Sequence, residues 1–212
     1  MYIIFNFIQR IKFKLRFDRK RSVLRYIKKN HCVSILEIGV FNGNFASRMI
    51  STAQKYNKNL EIHYVGVDLF ESNFSNEIAV SEISLKPRSK SFVEQYLKFL
   101  NAKVELYEGT SSEILTKLKY KFDLIIIDGG HSYATVKVDF ENSLKLLDKE
   151  GAIFFDDYTN KAGVTRGGFG INSVIHEIDK SKFKIVKCIN RDLFWKPYGV
   201  LTLRMVRVFP LK

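Results

Sequence analysis

The chain has 212 residues, 46% of them hydrophobic and 14% aromatic, with three prolines and no low-complexity tract; this suits one α/β domain with at most a short appendage and argues against long disordered linkers. The formal charge of +13 is unevenly placed, because residues 1–30 hold ten basic side chains against one acid (net +9) while residues 31–212 hold 25 against 21 (net +4). The charge therefore marks a basic N-terminal arm and helix (1–30) ahead of an electrostatically ordinary domain (31–212), and does not by itself make that domain a nucleic-acid binder.

Met1 to Ile8 is apolar but too short to span a bilayer, and it lacks both a preceding basic residue and a small-residue cleavage site. Cys32 and Cys188 are isolated, without a CxxC pair, as packed thiols in a reducing compartment are. Together these point to a cytoplasmic protein. Ile11 to Phe17 alternates strictly between apolar and basic residues, a strand period. Such an arm packs on the domain or on a second subunit in a homo-oligomer, or it gives peripheral membrane contact through residues 1–21. Asp18 then caps a helix reaching about Asn30, with Val23, Leu24 and Ile27 on its buried side.

From Val33 the chain falls into strand–helix units. Strands are expected at Val33–Ile38, Ile62–Asp68, Lys103–Tyr107, Phe122–Asp128 and Ala152–Asp156, and helices at Asn44–Tyr56, Ser91–Leu100, Ser111–Leu118 and Ser132–Leu147. Residues 69–102 read as a long polar connection containing only the one helix at Ser91. After a glycine-containing loop at 160–170 come a helix at Ile171–Asp179 and two strands, Phe183–Ile189 and Val200–Val208, with no helix between them. Strands that are apolar throughout and alternate with helices build a parallel sheet covered on both faces. The fold class is thus α/β, a doubly wound and mostly parallel sheet finished by an antiparallel hairpin.

In such sheets ligands bind beyond the carboxyl ends of the strands, where strand order reverses. The loop after the first strand carries Glu37, Gly39 and Gly43, spaced E-x-G-x-x-x-G. Gly39 allows a tight turn and Gly43 lets the backbone come close to a ligand. A dinucleotide loop requires G-x-G-x-x-G, and the bulky Phe41 stands against a pyrophosphate there. A nicotinamide dehydrogenase is therefore disfavoured, and the ligand is expected to be nucleoside-like. Asp68, at the end of the second strand, can accept both ribose hydroxyls. Glu37 either joins this site or is a buried carboxylate holding the loop amides.

The loops after the fourth and fifth strands hold Asp128-Gly-Gly-His131 and Asp156-Asp-Tyr158. If those strands are neighbours, three carboxylates converge, and a hard divalent cation with oxygen ligands, Mg²⁺ first, is their natural partner. Such a metal would hold a substrate hydroxyl and lower its pKa, and His131 would serve as general base. Asp128 could equally cap the next helix or touch the cofactor, and His131 could simply bond to backbone. Arg166 to Gly170 is a candidate substrate lid with glycine hinges or a plain loop; Trp195 and Tyr198, in the hairpin turn, read as packing residues.

The motifs ILEIGVFNGNF and VGVDLF resemble the first and second motifs of the class I methyltransferases that use S-adenosylmethionine (SAM), over roughly residues 20–208. That resemblance implies a seven-stranded sheet with a reversed last strand. It also implies a SAM site including Glu37, Gly39, Asn42, Gly43, Asp68 and Asp128, with Thr110 and Ser111 near the adenine. IDGGHSY followed by FFDDY looks like the metal-dependent O-methyltransferases of sugar and antibiotic tailoring, and like the cephalosporin-hydroxylase-type proteins. This implies Asp128, Asp156 and Asp157 as metal ligands and a small-molecule hydroxyl, such as that of a sugar or glycoside, as methyl acceptor. One branch has Asp-Gly-Asp with its second Asp as base; here that place is Gly130, which leaves His131, another residue or a metal-held hydroxide. Nucleic-acid methylation is the first rival, suggested by the basic arm, but the chain lacks the proline and stacking aromatic which such enzymes carry after the fourth strand. A membrane-surface module that binds SAM without methyl transfer is the second.

Overall fold

The computed structural model describes residues 18–82, 85–159, 170–196 and 199–211. The alternating arm at 11–17, most of the candidate lid (166–169) and Tyr198 lie outside the described residues, as does the side chain of Trp195.

Seven strands form one sheet: β1 (Ser34–Ile38), β2 (His63–Asp68), β3 (Lys103–Glu108), β4 (Phe122–Ile127), β5 (Leu147–Thr159), β6 (Phe183–Lys196) and β7 (Gly199–Pro210). Their order is β3-β2-β1-β4-β5-β7-β6. The first five strands pair in parallel, and β7 runs antiparallel to both β5 and β6. Side chains alternate across each strand, so each strand feeds two cores. Ile35, Leu124, Ile126 and Phe154 face one core; Leu36, Ile125, Ile127 and Phe155 face the other. Both faces are covered, which is why β4 could be apolar at nearly every position.

The helices that cover the first face are α1 (Arg21–Asn30), α2 (Asn44–Tyr56) and α4 (Lys90–Leu97). On α1, Val23, Tyr26 and Ile27 are buried, spaced i, i+3, i+4, and the Tyr26 ring meets Phe154 edge-on at 5.3 Å. Asp18 accepts the Lys20 N–H at 3.0 Å just ahead of α1. The second face is covered by α6 (Tyr133–Leu146), whose first turn is capped by Ser132, and by α7 (Gly170–Glu177).

Two short helices complete the set among the described residues, α3 (Asn76–Ser81) and α5 (Ser111–Ile114). The polar connection 69–102 thus holds two helices rather than one. The helix at Ser111 lasts a single turn rather than reaching Leu118, and β6 runs seven residues past Ile189 because it keeps pairing with β7 after a register shift between Lys187 and Arg191. Strand order reverses between β1 and β4, and the site lies beyond their carboxyl ends.

Candidate functional site

A cavity of about 830 Å³ opens beyond the strand ends and runs from the β1 loop and Asp68 past Ser111 to Asp128, His131 and Asp157. Gly39 makes this crevice possible: its φ is +92°, and a Cβ there would lie 2.2 Å from the carbonyl oxygen of Asp128. The glycine therefore serves the backbone contact between the ends of β1 and β4 as much as any ligand. Asp68 shapes the same loop. Its Oδ2 accepts the N–H groups of Val40 (2.7 Å) and Phe41 (2.8 Å), and its Oδ1 accepts that of Phe70 (2.9 Å). Phe41 and Phe70 both sit at positive φ, so this carboxylate holds an otherwise unfavourable turn while still bordering the cavity.

The expected cofactor residues separate into two groups. Gly39, Asp68, Thr110, Ser111 and Asp128 line the large cavity; Glu37 and Asn42 line a smaller one of about 160 Å³, which shares Gly39, Lys20 and Asp128. Gly43 lines neither; at φ +77° it opens α2 and packs against Val93. Glu37 does not hold the loop amides. It is fully buried and accepts the hydroxyl of Tyr64, and burial pushes its pKa up to about 8 against the opposing pull of Lys20 and that hydrogen bond. Ser111 donates to the buried carboxylate of Asp139, whose Oδ2 has no hydrogen-bond partner among the described residues and whose pKa burial raises to about 7.

At the other end the three expected carboxylates do come together. Consecutive strand residues normally point to opposite faces, but Asp156 and Asp157 sit in a bulge, where the β5–β7 register shifts and Asp157 takes φ +56°. Both can then reach the same group. That group is Arg19, immediately ahead of α1. Its Nε and Nη2 hold Asp156, its Nη2 also reaches Asp157 Oδ1 at 2.7 Å, and its Nη1 meets Asp192 on β6 at 2.6 Å. Lys20 Nζ donates to Asp128 at 2.7 Å and lies 3.7 Å from Asp156. Burial would raise the pKa of Asp156, yet the charges and bonds of Arg19 and Lys20 outweigh it and hold that carboxylate below its usual range.

His131 departs from the role of a base. Its Nδ1 faces the carbonyl oxygen of Glu82 at 2.7 Å and its Nε2 faces Asp157 Oδ2 at 2.9 Å. Both partners here are acceptors, so both ring nitrogens serve as donors. Burial alone would lower its pKa, but Asp157 and the Glu82 carbonyl raise it to about 9, leaving an imidazolium without a free lone pair. Gly130 has its own reason: a Cβ there would lie 2.5 Å from Glu82 Oε2. The Glu82 carboxylate fills that space and accepts from the Ser132 N–H and the hydroxyls of Ser132 and Thr135, each at 2.8 Å.

A family model described as a methyltransferase domain matches residues 36–158, which run from β1 through the Asp156–Asp157 bulge. The chain belongs to this methyltransferase family. A curated relative, an uncharacterized protein of Acanthamoeba polyphaga mimivirus, is 28% identical over 175 residues, covering 82% of this chain and 73% of its own. The O-methyltransferase TomG of Streptomyces achromogenes, involved in tomaymycin synthesis and solved with SAM, superposes with a TM-score of 0.63 at 13% identity over 91% of this chain and 79% of its own. A Bacillus cereus O-methyltransferase solved with SAH, the demethylated cofactor product, gives 0.63 at 15% identity over 90% and 80%. The methyltransferase thus has the class I SAM-dependent fold, as its strand order requires.

The divalent cation does not fit the arrangement that this methyltransferase shows. The oxygens that would ligate it are bonded to Arg19 and Lys20, and among the described residues no group of three or more His, Cys, Asp or Glu is placed to hold a metal ion. Sequence reasoning missed Arg19, Lys20, Glu82, Asp139 and Asp192. Asp18-Arg-Lys20 opens the helix that ends the basic arm, and its two cations could have been set against the acidic loops as their counter-charge. Nothing local marks Glu82 or Asp192.

Proposed function

We propose that this protein transfers the methyl group of SAM to a hydroxyl oxygen of a small molecule such as a sugar or glycoside. The observation that carries this reading is one cavity, within the size range of small-molecule sites, that joins the Asp68 loop to the carboxylate cluster. In this reading Asp68 accepts the ribose hydroxyls, and Thr110 and Ser111 flank the adenine. The methyl end of SAM would then be held on the Asp128 side of the cavity. Transfer requires an in-line arrangement of acceptor oxygen, methyl carbon and sulfur, so positioning carries most of the rate. The O–C bond forms as the C–S bond breaks, and the hydroxyl proton passes to Asp128. Burial and the neighbouring Asp156 raise the pKa of Asp128 against the pull of Lys20, making it a better proton acceptor than an ordinary carboxylate.

Calorimetry with SAM, SAH and NAD tests the donor. One equivalent of SAM or SAH is expected to bind and NAD is not. Asp68→Ala should weaken SAH by roughly 10–100-fold, the cost of losing charge-assisted hydrogen bonds, in a variant whose circular dichroism is unchanged. Absence of SAM and SAH binding by the wild type would refute the reading. Labelled SAM incubated with simple glycosides and with RNA then separates the acceptors; label in RNA alone would overturn the small-molecule assignment.

A further inference from the structure

The carboxylates after β4 and β5 look, by residue type, like a site for a hard divalent ion, yet they are occupied from within the chain. Asp156 is 1% exposed, and both of its oxygens accept from Arg19, with a further bond from the Asp157 N–H to Oδ1 at 2.8 Å. Asp157 is shared between Arg19 and His131, and Asp128 is held by Lys20. Four carboxylates (Asp128, Asp156, Asp157, Asp192) thus face three cations (Arg19, Lys20, His131) in one cluster. An incoming divalent ion would have to displace the bonds from Arg19 and Lys20, each charge-assisted. It would compete against cations at high effective concentration, because Val23, Tyr26 and Ile27 dock α1 in the core directly after them.

We propose that Arg19 and Lys20 are the resident cations of this site: they take the place that a divalent metal would fill between Asp128, Asp156 and Asp157, and the carboxylates bind such an ion only when one or both of these side chains are removed. The two are not equivalent. Arg19 spends its guanidinium on three carboxylates and acts as a clamp. Lys20 has one close carboxylate partner, packs its Nζ over the Phe45 ring at 4.4 Å and borders both cavities, so its ammonium supplies the positive charge nearest a bound acceptor. That last assignment rests on the methyltransferase reading; the occupation of the carboxylates does not.

The test is Mn²⁺ binding, read from the electron paramagnetic resonance of the free ion, on the full chain without cofactor. Wild type is expected to take up no Mn²⁺ at millimolar concentration. The double variant Arg19→Gln/Lys20→Gln should bind one equivalent at least tenfold more tightly than wild type, and adding Asp156→Asn should remove that gain. Stoichiometric Mn²⁺ binding by wild type that Asp156→Asn abolishes would overturn the proposal, as would a folded double variant that binds none. Lys20→Gln alone keeps the Arg19 clamp and covers the case in which the double variant does not fold. It too should bind Mn²⁺ at least tenfold more tightly than wild type, and no gain there sinks the proposal. SAH calorimetry on the same wild-type sample keeps the two readings apart, since loss of SAH binding counts against methyl transfer and leaves the Mn²⁺ result standing.

Discussion

Gly39 and Gly130 both lie where a side chain is sterically excluded, but for different reasons, and the difference predicts a ranking. At Gly39 the obstacle is backbone: a Cβ would be 2.2 Å from the Asp128 carbonyl oxygen and 2.7 Å from the Gly129 nitrogen, at a φ of +92°. Relief would require β1 and β4 to part. At Gly130 the obstacles are side-chain atoms, Glu82 Oε2 at 2.5 Å and Thr135 Cγ2 at 2.8 Å. Glu82 can swing away, at the cost of its bonds to Ser132 and Thr135. Gly130→Ala is therefore expected to cost about 1–3 kcal/mol, and Gly39→Ala more than about 3 kcal/mol. Urea denaturation of both variants checks the order, and a Gly130→Ala that is the more damaging of the two would contradict it.

The helix α1 is the element that links packing to the site, since it buries Val23, Tyr26 and Ile27 and presents Arg19 and Lys20 just ahead of its first turn. Ile27 is fully buried, so Ile27→Ala should destabilise the fold by about 2–5 kcal/mol in urea. It should also loosen the Arg19 clamp, which thermal unfolding of Arg19→Gln, alone and combined with Ile27→Ala, would detect as non-additivity. A strictly additive pair would show that docking and clamp are independent. Elements such as β1, β4 and α2 were legible in the sequence because periodicity and apolar runs state them locally: Asn44–Tyr56 forms as the pattern predicts. By contrast α3 buries no residue, so no periodic signal marks it. The carboxylate triad was legible as residue types at strand ends. Its occupant was not, because Arg19 meets Asp156 and Asp157 across 137 and 138 residues of chain, and only the docking of α1 makes them neighbours. The bulge that aims Asp157 is likewise set by pairing with β7.

For the molecule as a whole, the buried ionisable groups combine into one pH dependence. Glu37 moves from an ordinary 4.5 to about 8 and Asp139 from 3.8 to about 7, in both cases because burial disfavours the ionised form. Well below pH 3.8 both groups are protonated, folded or unfolded, and contribute nothing to the slope. As pH rises toward 7 and 8 the unfolded chain releases these protons and the folded one retains them, so stability falls by up to about 1.4 kcal/mol per pH unit for each group. His131 acts in the same direction: its pKa rises from 6.5 to about 9 on folding, so its contribution is complete below 6.5 and lost as pH passes through 9. Asp156 acts oppositely, since its lowered pKa gives stability that disappears as pH falls below 3.8. The cofactor-free protein should therefore be most stable near pH 4 and lose Tm steadily as pH rises to 9, each kcal/mol lost lowering Tm by about 2–4 °C for a chain of this size. Differential scanning calorimetry across that range provides the check, and a Tm that climbs steadily from pH 5 to 8 would reject the assignment. Glu37→Gln separates the contributions: relative to wild type it should gain stability at pH 9 while changing little at pH 4, because the hydroxyl of Tyr64 can donate to the amide oxygen as it does to the acid.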